Sequence, residues 1–92
     1  SRSEMRAYTG VIPDYGSEVE GLLISDVAPG GPAAKAGIKG GDIVIEFGGK
    51  KITNIYDYTA ALNGIKIGKP SKVVVMRKKK KMELKITPEA RK

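Results

Sequence analysis

The stretch "GLLISDVAPGGPAAKAGIKGGDIVIEFGGKKITNIYDYTAAL", residues 21–62, decides the fold. Its branched apolar runs are interrupted by glycines and prolines, which are the strongest local stop signals for strands and helices. Pro32 opens and Gly37 closes a very short helix, because proline suits the first helical turn and glycine the position past the end. The predicted elements are a strand over Leu22–Val27, a helix over 33–36, a strand over 42–47, a Gly48-Gly49 hairpin turn into 50–52 and the start of a longer helix.

The residues that follow complete an antiparallel α+β domain. The longer helix is capped by Thr53 or Asn54 and ends at Gly64. A continuous apolar run over 73–76 predicts a strand buried on both faces, whereas the alternation over 81–87 predicts a strand with one wet face. We therefore expect a partly open antiparallel β-barrel or sandwich of five to six strands, with one short and one longer helix.

Composition restricts the chemistry that the chain can carry. Its 92 residues make one domain, and the core must be aliphatic because only 5% of the residues are aromatic. The sequence contains no Cys and no His, which excludes disulfides, thiolate nucleophiles, a Ser-His-Asp triad and the commonest metal ligand. The acids are not clustered as in an oxygen-ligand metal loop. We expect no catalytic residue, no metal and no cofactor in this chain.

The chain start and the hydropathy bear on the wider protein. The sequence begins Ser-Arg-Ser without an initiator Met, so we expect a single domain over 1–92, with its core over about 7–88, excised from a larger protein. No apolar run approaches the roughly 18 residues of a membrane helix. We therefore expect neither a membrane span nor a signal peptide within these residues.

Residues 21–62 resemble the centre of a bacterial-type PDZ domain. The shared pattern is a strand, a Pro-rich turn, P-A-x-x-A-G-I-K-x-G-D, a second strand, G-x-x-I, an Asn and a helix. The element order is similar to the circularly permuted bacterial form, in which the strand over 81–87 comes last. The resemblance implies a non-catalytic module attached to a secreted or periplasmic peptidase. The combination of "GVIPDY" with "ITNIYDYTAAL" is most similar to the zinc aminopeptidase group.

The same resemblance implies a peptide groove. In PDZ domains a loop of the pattern aromatic-x-Gly-hydrophobic offers backbone amides to a C-terminal carboxylate, and the peptide adds a strand beside the longer helix. Successive free amides in a glycine-containing turn also form an anion-binding concavity. In this sequence the groove lies between the strand over 11–13 and the helix over 55–63. The implied peptide-binding residues are Tyr8, Thr9, Gly10, Val11, Ile12, Pro13, Ile55, Thr59 and Leu62, with Arg6 as a cationic aid to carboxylate binding.

The helix side of the groove is one apolar stripe. Ile55, Thr59 and Leu62 lie at i, i+4 and i+7, although Ile55 and Leu62 could equally be ordinary core residues. We expect Tyr58 in the core rather than in the groove. Ile55 stands where hydroxyl-selecting PDZ domains have a His, which implies an apolar preference for the third-from-last ligand side chain.

Pro13 bears on whether this groove works, because proline has no N–H to donate to an added strand. By the family's pairing pattern, residue 13 should both donate and accept. Loss of the donor costs roughly 0.5–1.5 kcal/mol of net binding free energy. A proline also protects an exposed sheet edge against aggregation, so a structural reason for Pro13 is equally open.

The net charge of +7 is concentrated at the end of the chain. Residues 1–71 balance, whereas residues 72–92 carry nine Lys and Arg against two Glu. The run "RKKKK", residues 77–81, bridges the last two strands without Gly or Asn, so we expect a turn without positive φ angles. A solvated tip is the simpler interpretation and an anionic partner the alternative. Because no aromatic residue is interleaved, we expect no nucleic-acid partner.

Two functions remain open at this point. The first is a peptide-binding module of an extracytoplasmic peptidase, which recruits substrate or regulates the protease. Its partners would be a protein C-terminus or extended segment and the parent catalytic domain. The second is a structural domain that docks on its own parent chain and whose groove is silent. Gly10 and the apolar stripe favour the first, and Pro13 favours the second.

Overall fold

The computed structural model describes residues 6–14 and 19–91, and for residues 6, 7, 90 and 91 it describes the backbone only. Within these residues the chain forms eight strands and two helices. In chain order they are β1 (Arg6–Tyr8), β2 (Val11–Pro13), β3 (Leu22–Val27), α1 (Pro32–Ala36), β4 (Ile43–Phe47), β5 (Lys50–Lys51), α2 (Ile55–Asn63), β6 (Ser71–Arg77), β7 (Lys80–Ile86) and β8 (Glu89–Arg91).

Six of the strands form one antiparallel sheet that does not close on itself. Its order is β2-β3-β4-β6-β7, and β5 pairs with β4. Strands β2 and β7 are the edges along this path, and within the described residues β5 also has a strand on one side only. The predicted α+β class, with a sheet of five to six strands, one short helix and one longer helix, is confirmed by a six-stranded sheet. The sequence does not predict β1 and β8, which pair with each other as a separate two-stranded ribbon.

The core is mainly aliphatic, as expected, and its two aromatic rings stack on each other. Phe47 and Tyr58 have ring centroids 5.3 Å apart. In β6, Val73 and Val75 are buried, whereas the residues between and after them are only half-buried. The prediction that this strand is buried on both faces is therefore wrong, because the open sheet leaves its second face partly accessible. The alternation predicted for β7 is confirmed.

A buried carboxylate holds the crossing from α1 into β4. Asp42 is 1% exposed, and its Oδ2 accepts a hydrogen bond of 2.9 Å from the Lys39 amide. Arg77 donates to both carboxylate oxygens at 2.7 and 2.6 Å, and also to the carbonyl of Gly37 at 2.7 Å. Burial acts to raise the pKa of Asp42, but the bonds from Arg77 and Lys39 outweigh it, so this pKa lies below its usual value. Asp42 is thus a structural brace.

The lysine-rich turn between β6 and β7 differs from the sequence prediction. Arg77 pairs with Lys80, which leaves only Lys78 and Lys79 to reverse the chain. Their φ angles are +51° and +67°, so the turn is of the positive-φ kind after all. The reason is geometric: a two-residue loop matches the right-handed strand twist only in this conformation. The continuous register of the two long strands therefore overrides the preference of lysine.

The longer helix begins and ends where the sequence indicates. Asn54 is its N-cap, and its side chain accepts a hydrogen bond of 2.9 Å from the Asp57 amide. The Asp57 carboxylate accepts in turn from the amide and the hydroxyl of Thr53, so both capping candidates take part. Gly64 follows the last helical residue. No helix in the described ranges is long and apolar enough to cross a membrane.

Candidate functional site

Strand β2 offers one side of its backbone to solvent. Within the described part of the chain it pairs with β3 on one side and with no strand on the other. The carbonyl of Gly10 accepts from Ala28 at 2.8 Å, and the amide of Asp14 donates to Leu23 at 2.9 Å. Residues 10, 12 and 14 therefore face β3. Because backbone groups alternate along an antiparallel strand, those of residues 11 and 13 face outward.

The loop before β2 turns its carbonyls inward and its amides outward. The carbonyl of Thr9 accepts from the Ala33 amide at 2.7 Å, and the next carbonyl, of Gly10, is bonded to Ala28. All described peptide bonds are trans, so each N–H points opposite to the carbonyl of its own peptide unit. The amides of Gly10 and Val11 are thereby directed away from α1 and β3. Gly10 has φ +79°, which favours glycine at this position.

Pro13 lies where its missing donor leaves no gap in the sheet. Its backbone faces outward, and the register between β2 and β3 shifts between Ile12 and Pro13. The hydroxyl of Ser25 donates to the carbonyl of Ile12 at 3.1 Å beside this irregularity. The fold therefore tolerates the proline, and the loss of an N–H falls only on a strand added from outside.

Helix α2 carries the three residues of the predicted stripe. Ile55 and Leu62 are half-buried and pack against the core cluster, as Val11 does from β2. Each of them therefore contributes to the core and keeps part of its side chain accessible. Thr59 is exposed, and its hydroxyl donates back to the carbonyl of Ile55 at 3.0 Å. Tyr58 is buried, as expected.

The sequence does not predict the contact that joins the loop to the helix. The hydroxyls of Thr9 and Tyr58 are 2.5 Å apart, and both side chains are buried. Burial raises the pKa of Tyr58 to about 12, although its bond to Thr9 acts in the opposite direction. The sequence does indicate that Tyr58 should have a partner, because a core tyrosine usually finds a hydrogen-bond partner for its hydroxyl. The sequence does not say which residue supplies it.

The remaining predicted residues differ in how far they belong to this site. Tyr8 is half-buried, and its hydroxyl lies close to the position that a Cβ on Gly10 would take. The side chain of Ile12 is 47% exposed. The side chain of Arg6, for which a role in carboxylate binding is predicted, lies outside the described part of the chain.

Within the described residues, no three Asp or Glu side chains are placed to hold a metal ion.

Comparison with known proteins identifies the family. A family model described as PDZ domain matches residues 4–87. A DegP-like periplasmic serine endoprotease of a Marinomonas species is 35% identical over 94% of this chain and 20% of its own length. The structure of the HtrA-type protease AlgW with a decapeptide has a TM-score of 0.85 and 21% identity, over 96% of this chain and 30% of that one. The chain thus spans about a fifth of its curated relative.

The expected likeness to zinc aminopeptidases is not supported at the level of sequence. An aminopeptidase N family protein of Idiomarina loihiensis has a TM-score of 0.81, but it is only 21% identical, over 92% of this chain and 14% of that one. That likeness shows the fold alone, whereas the sequence relatives are serine proteases. The chain belongs to the PDZ domain family, as a non-catalytic module homologous to the PDZ domains of HtrA- and DegP-type serine proteases.

Proposed function

We propose that the domain binds free C-terminal peptide segments between β2 and α2. The observation that carries this proposal is the outward direction of the Gly10 and Val11 amides at the head of an edge strand. Among the described residues, these amides face no strand of the sheet and can receive a carboxylate. Helix α2 adds a half-buried apolar stripe on which ligand side chains can pack.

The ligand adds to β2 as one more antiparallel strand. Its carboxylate accepts hydrogen bonds from the amides of Thr9, Gly10 and Val11, and its last amide donates to the carbonyl of Val11. Pro13 accepts one further bond and donates none. The last side chain packs against Leu62, and the third-from-last packs against Ile55 beside Thr59.

The parent protein is proposed from the relatives. Most of them are named serine proteases, several are named periplasmic, and AlgW is described with a decapeptide. We therefore assign the domain to an extracytoplasmic serine protease rather than to a zinc aminopeptidase. In it the groove would recruit substrate segments or regulate the catalytic domain. The alternative is a structural domain with a silent groove, and Pro13 is the observation in its favour.

Binding of a fluorescent decapeptide with an apolar last residue tests the proposal. We expect a Kd of roughly 10–100 µM for the free acid, because a short added strand must offset its ordering entropy. The same peptide with a C-terminal amide should bind much more weakly. Replacing Pro13 with Val should tighten binding by about a few-fold, the share of one net hydrogen bond.

A matched pair of helix variants locates the binding surface. Leu62→Asp places an unpaired charge where the ligand packs and should abolish binding while unfolding stays cooperative. Tyr56→Asp introduces the same carboxylate at a residue of the same helix that is 80% exposed, and it should leave binding unchanged. If neither the parent sequence nor the Pro13→Val variant binds any apolar free acid, the structural-domain alternative replaces this proposal.

A further inference from the structure

We propose that the buried Thr9–Tyr58 hydroxyl pair is a strut that positions the amide-bearing loop relative to α2, and so sets the selectivity for a terminal carboxylate. This inference rests on the proposed peptide groove. Tyr58 is then a positioning residue, which acts on the ligand through Thr9 without touching it.

The tyrosine is the fixed end of the strut. Its side chain is 6% exposed, and its ring stacks on Phe47, which is itself buried in the central strand β4. A ring packed in this way has little freedom to move, so its hydroxyl has a defined position. The ring also belongs to the helical turns that carry Ile55 and Leu62, because it lies three residues after the first and four before the second.

Thr9 is connected to the site by two hydrogen bonds and by the peptide unit that it shares with Gly10. Its hydroxyl reaches Tyr58 at 2.5 Å, its carbonyl accepts from Ala33 at the start of α1, and its peptide unit carries the Gly10 amide. Because that unit is planar, the direction of the Thr9 carbonyl fixes the direction of the Gly10 N–H. The bond between the Thr9 and Tyr58 hydroxyls fixes the distance between this loop and α2, which forms the other side of the proposed groove.

The strut persists under ordinary conditions. Both hydroxyls carry a proton at neutral pH, because the ordinary pKa of tyrosine is about 10 and burial raises that of Tyr58 to about 12. Removing either hydroxyl leaves its partner buried without this bond, which is costly in a low-dielectric interior. A movement of the loop that gives Thr9 another partner also displaces the amides that the carboxylate needs.

The test compares peptide binding by Thr9→Val, Tyr58→Phe, their double variant and Thr9→Ser. Valine matches threonine in shape without the hydroxyl, whereas serine keeps the hydroxyl and serves as the control. The readout is the ratio of affinities for one decapeptide as free acid and as C-terminal amide. We expect Thr9→Val and Tyr58→Phe each to lower this ratio roughly five- to tenfold, as for one hydrogen bond. Thr9→Ser should keep most of it, and the double variant should lose little more than either single one.

A second readout needs no ligand. Amide hydrogen exchange at Ala33 and Ala28, whose amides donate to the carbonyls of Thr9 and Gly10, should accelerate in Thr9→Val and Tyr58→Phe, relative to the core amides of Val44 and Val75 in the same samples. An unchanged acid-to-amide ratio in both variants would overturn the strut, as would exchange that rises only in proportion to a global loss of stability. If the parent sequence does not distinguish acid from amide while exchange at Ala33 responds as expected, the proposed function fails and the link between Tyr58 and the loop stands.

Discussion

At the scale of single residues, the fold depends on one buried charge more than on any of its exposed ion pairs. The carboxylate of Asp42 joins the end of α1, the start of β4 and the end of β6 through Lys39 and Arg77. By contrast, Lys72 reaches Glu46 at 3.1 Å from a side chain that is almost half exposed. Exposed pairs of this kind contribute little, whereas breaking a buried pair leaves an uncompensated charge.

We predict that Asp42→Ala lowers the free energy of unfolding by about 3 kcal/mol, because Arg77 and the Lys39 amide lose their shared acceptor. Chemical denaturation followed by circular dichroism measures this. Asp42→Asn keeps one acceptor and should lose less, and Glu83→Ala, at an exposed site, is the control with little change. Equal losses in Asp42→Ala and Glu83→Ala would contradict this account.

The stability that Asp42 contributes depends on pH. Since the pKa of Asp42 is lowered by folding, its contribution is present above about pH 4 and is lost as the pH falls through the folded-state pKa.

At the scale of elements, the turn between β6 and β7 holds two lysines in a conformation that side chains with a Cβ disfavour. Lys78 and Lys79 both have positive φ, and each left-handed residue costs roughly 1–2 kcal/mol. The long β6–β7 ladder imposes this conformation on them. An Asn-Gly pair is the usual sequence for such a turn.

Replacing Lys78-Lys79 with Asn-Gly should therefore raise the free energy of unfolding by about 1 kcal/mol. The double variant Lys78→Ala/Lys79→Ala is the matched control, because it removes both charges and keeps both Cβ atoms. Thermal and urea unfolding of the three proteins decides between two causes. If the alanine pair stabilises as much as Asn-Gly, relief of charge repulsion rather than of backbone strain is responsible.

The elements themselves show which features of a sequence predict structure. Strand β3, both helices and the Gly48-Gly49 turn follow from local signals such as caps, breakers and periodicity, and they are found where these signals lie. The β1–β8 ribbon pairs residues more than 80 positions apart, for example Arg6 with Arg91, and no local signal marks it. The Thr9–Tyr58 bond joins residues 49 positions apart and escapes prediction for the same reason.

For the candidate site, the sequence could indicate which types of residue are present but not the directions in which their backbone groups point. Gly10 and the helix stripe are visible in the pattern. The outward direction of the Gly10 and Val11 amides depends on which groups bind their neighbouring carbonyls, Ala33 and Ala28. Those partners come from other elements, so only the folded arrangement defines them.

At the scale of the whole molecule, the charge is separated from the proposed groove. The groove uses backbone amides and apolar side chains, whereas the exposed lysines 78–81 lie at the tip of the β6–β7 hairpin. These lysines are not interleaved with aromatic residues and keep the tip solvated in this account. The proposed binding mode uses an edge strand and a helix, and it does not need the basic tip.

The measurement that tests the central claim most directly is amide chemical-shift mapping with an apolar-terminated decapeptide, as free acid and as C-terminal amide. We expect the free acid to shift the amide signals of residues 8–12 and 55–62, with the largest changes at Gly10 and Val11. The amidated peptide should produce much smaller changes at the same concentration, because the loop amides then lack a carboxylate to bind. No response in these two segments, or an equal response to both peptides, would contradict the claim that this groove binds a free C-terminus.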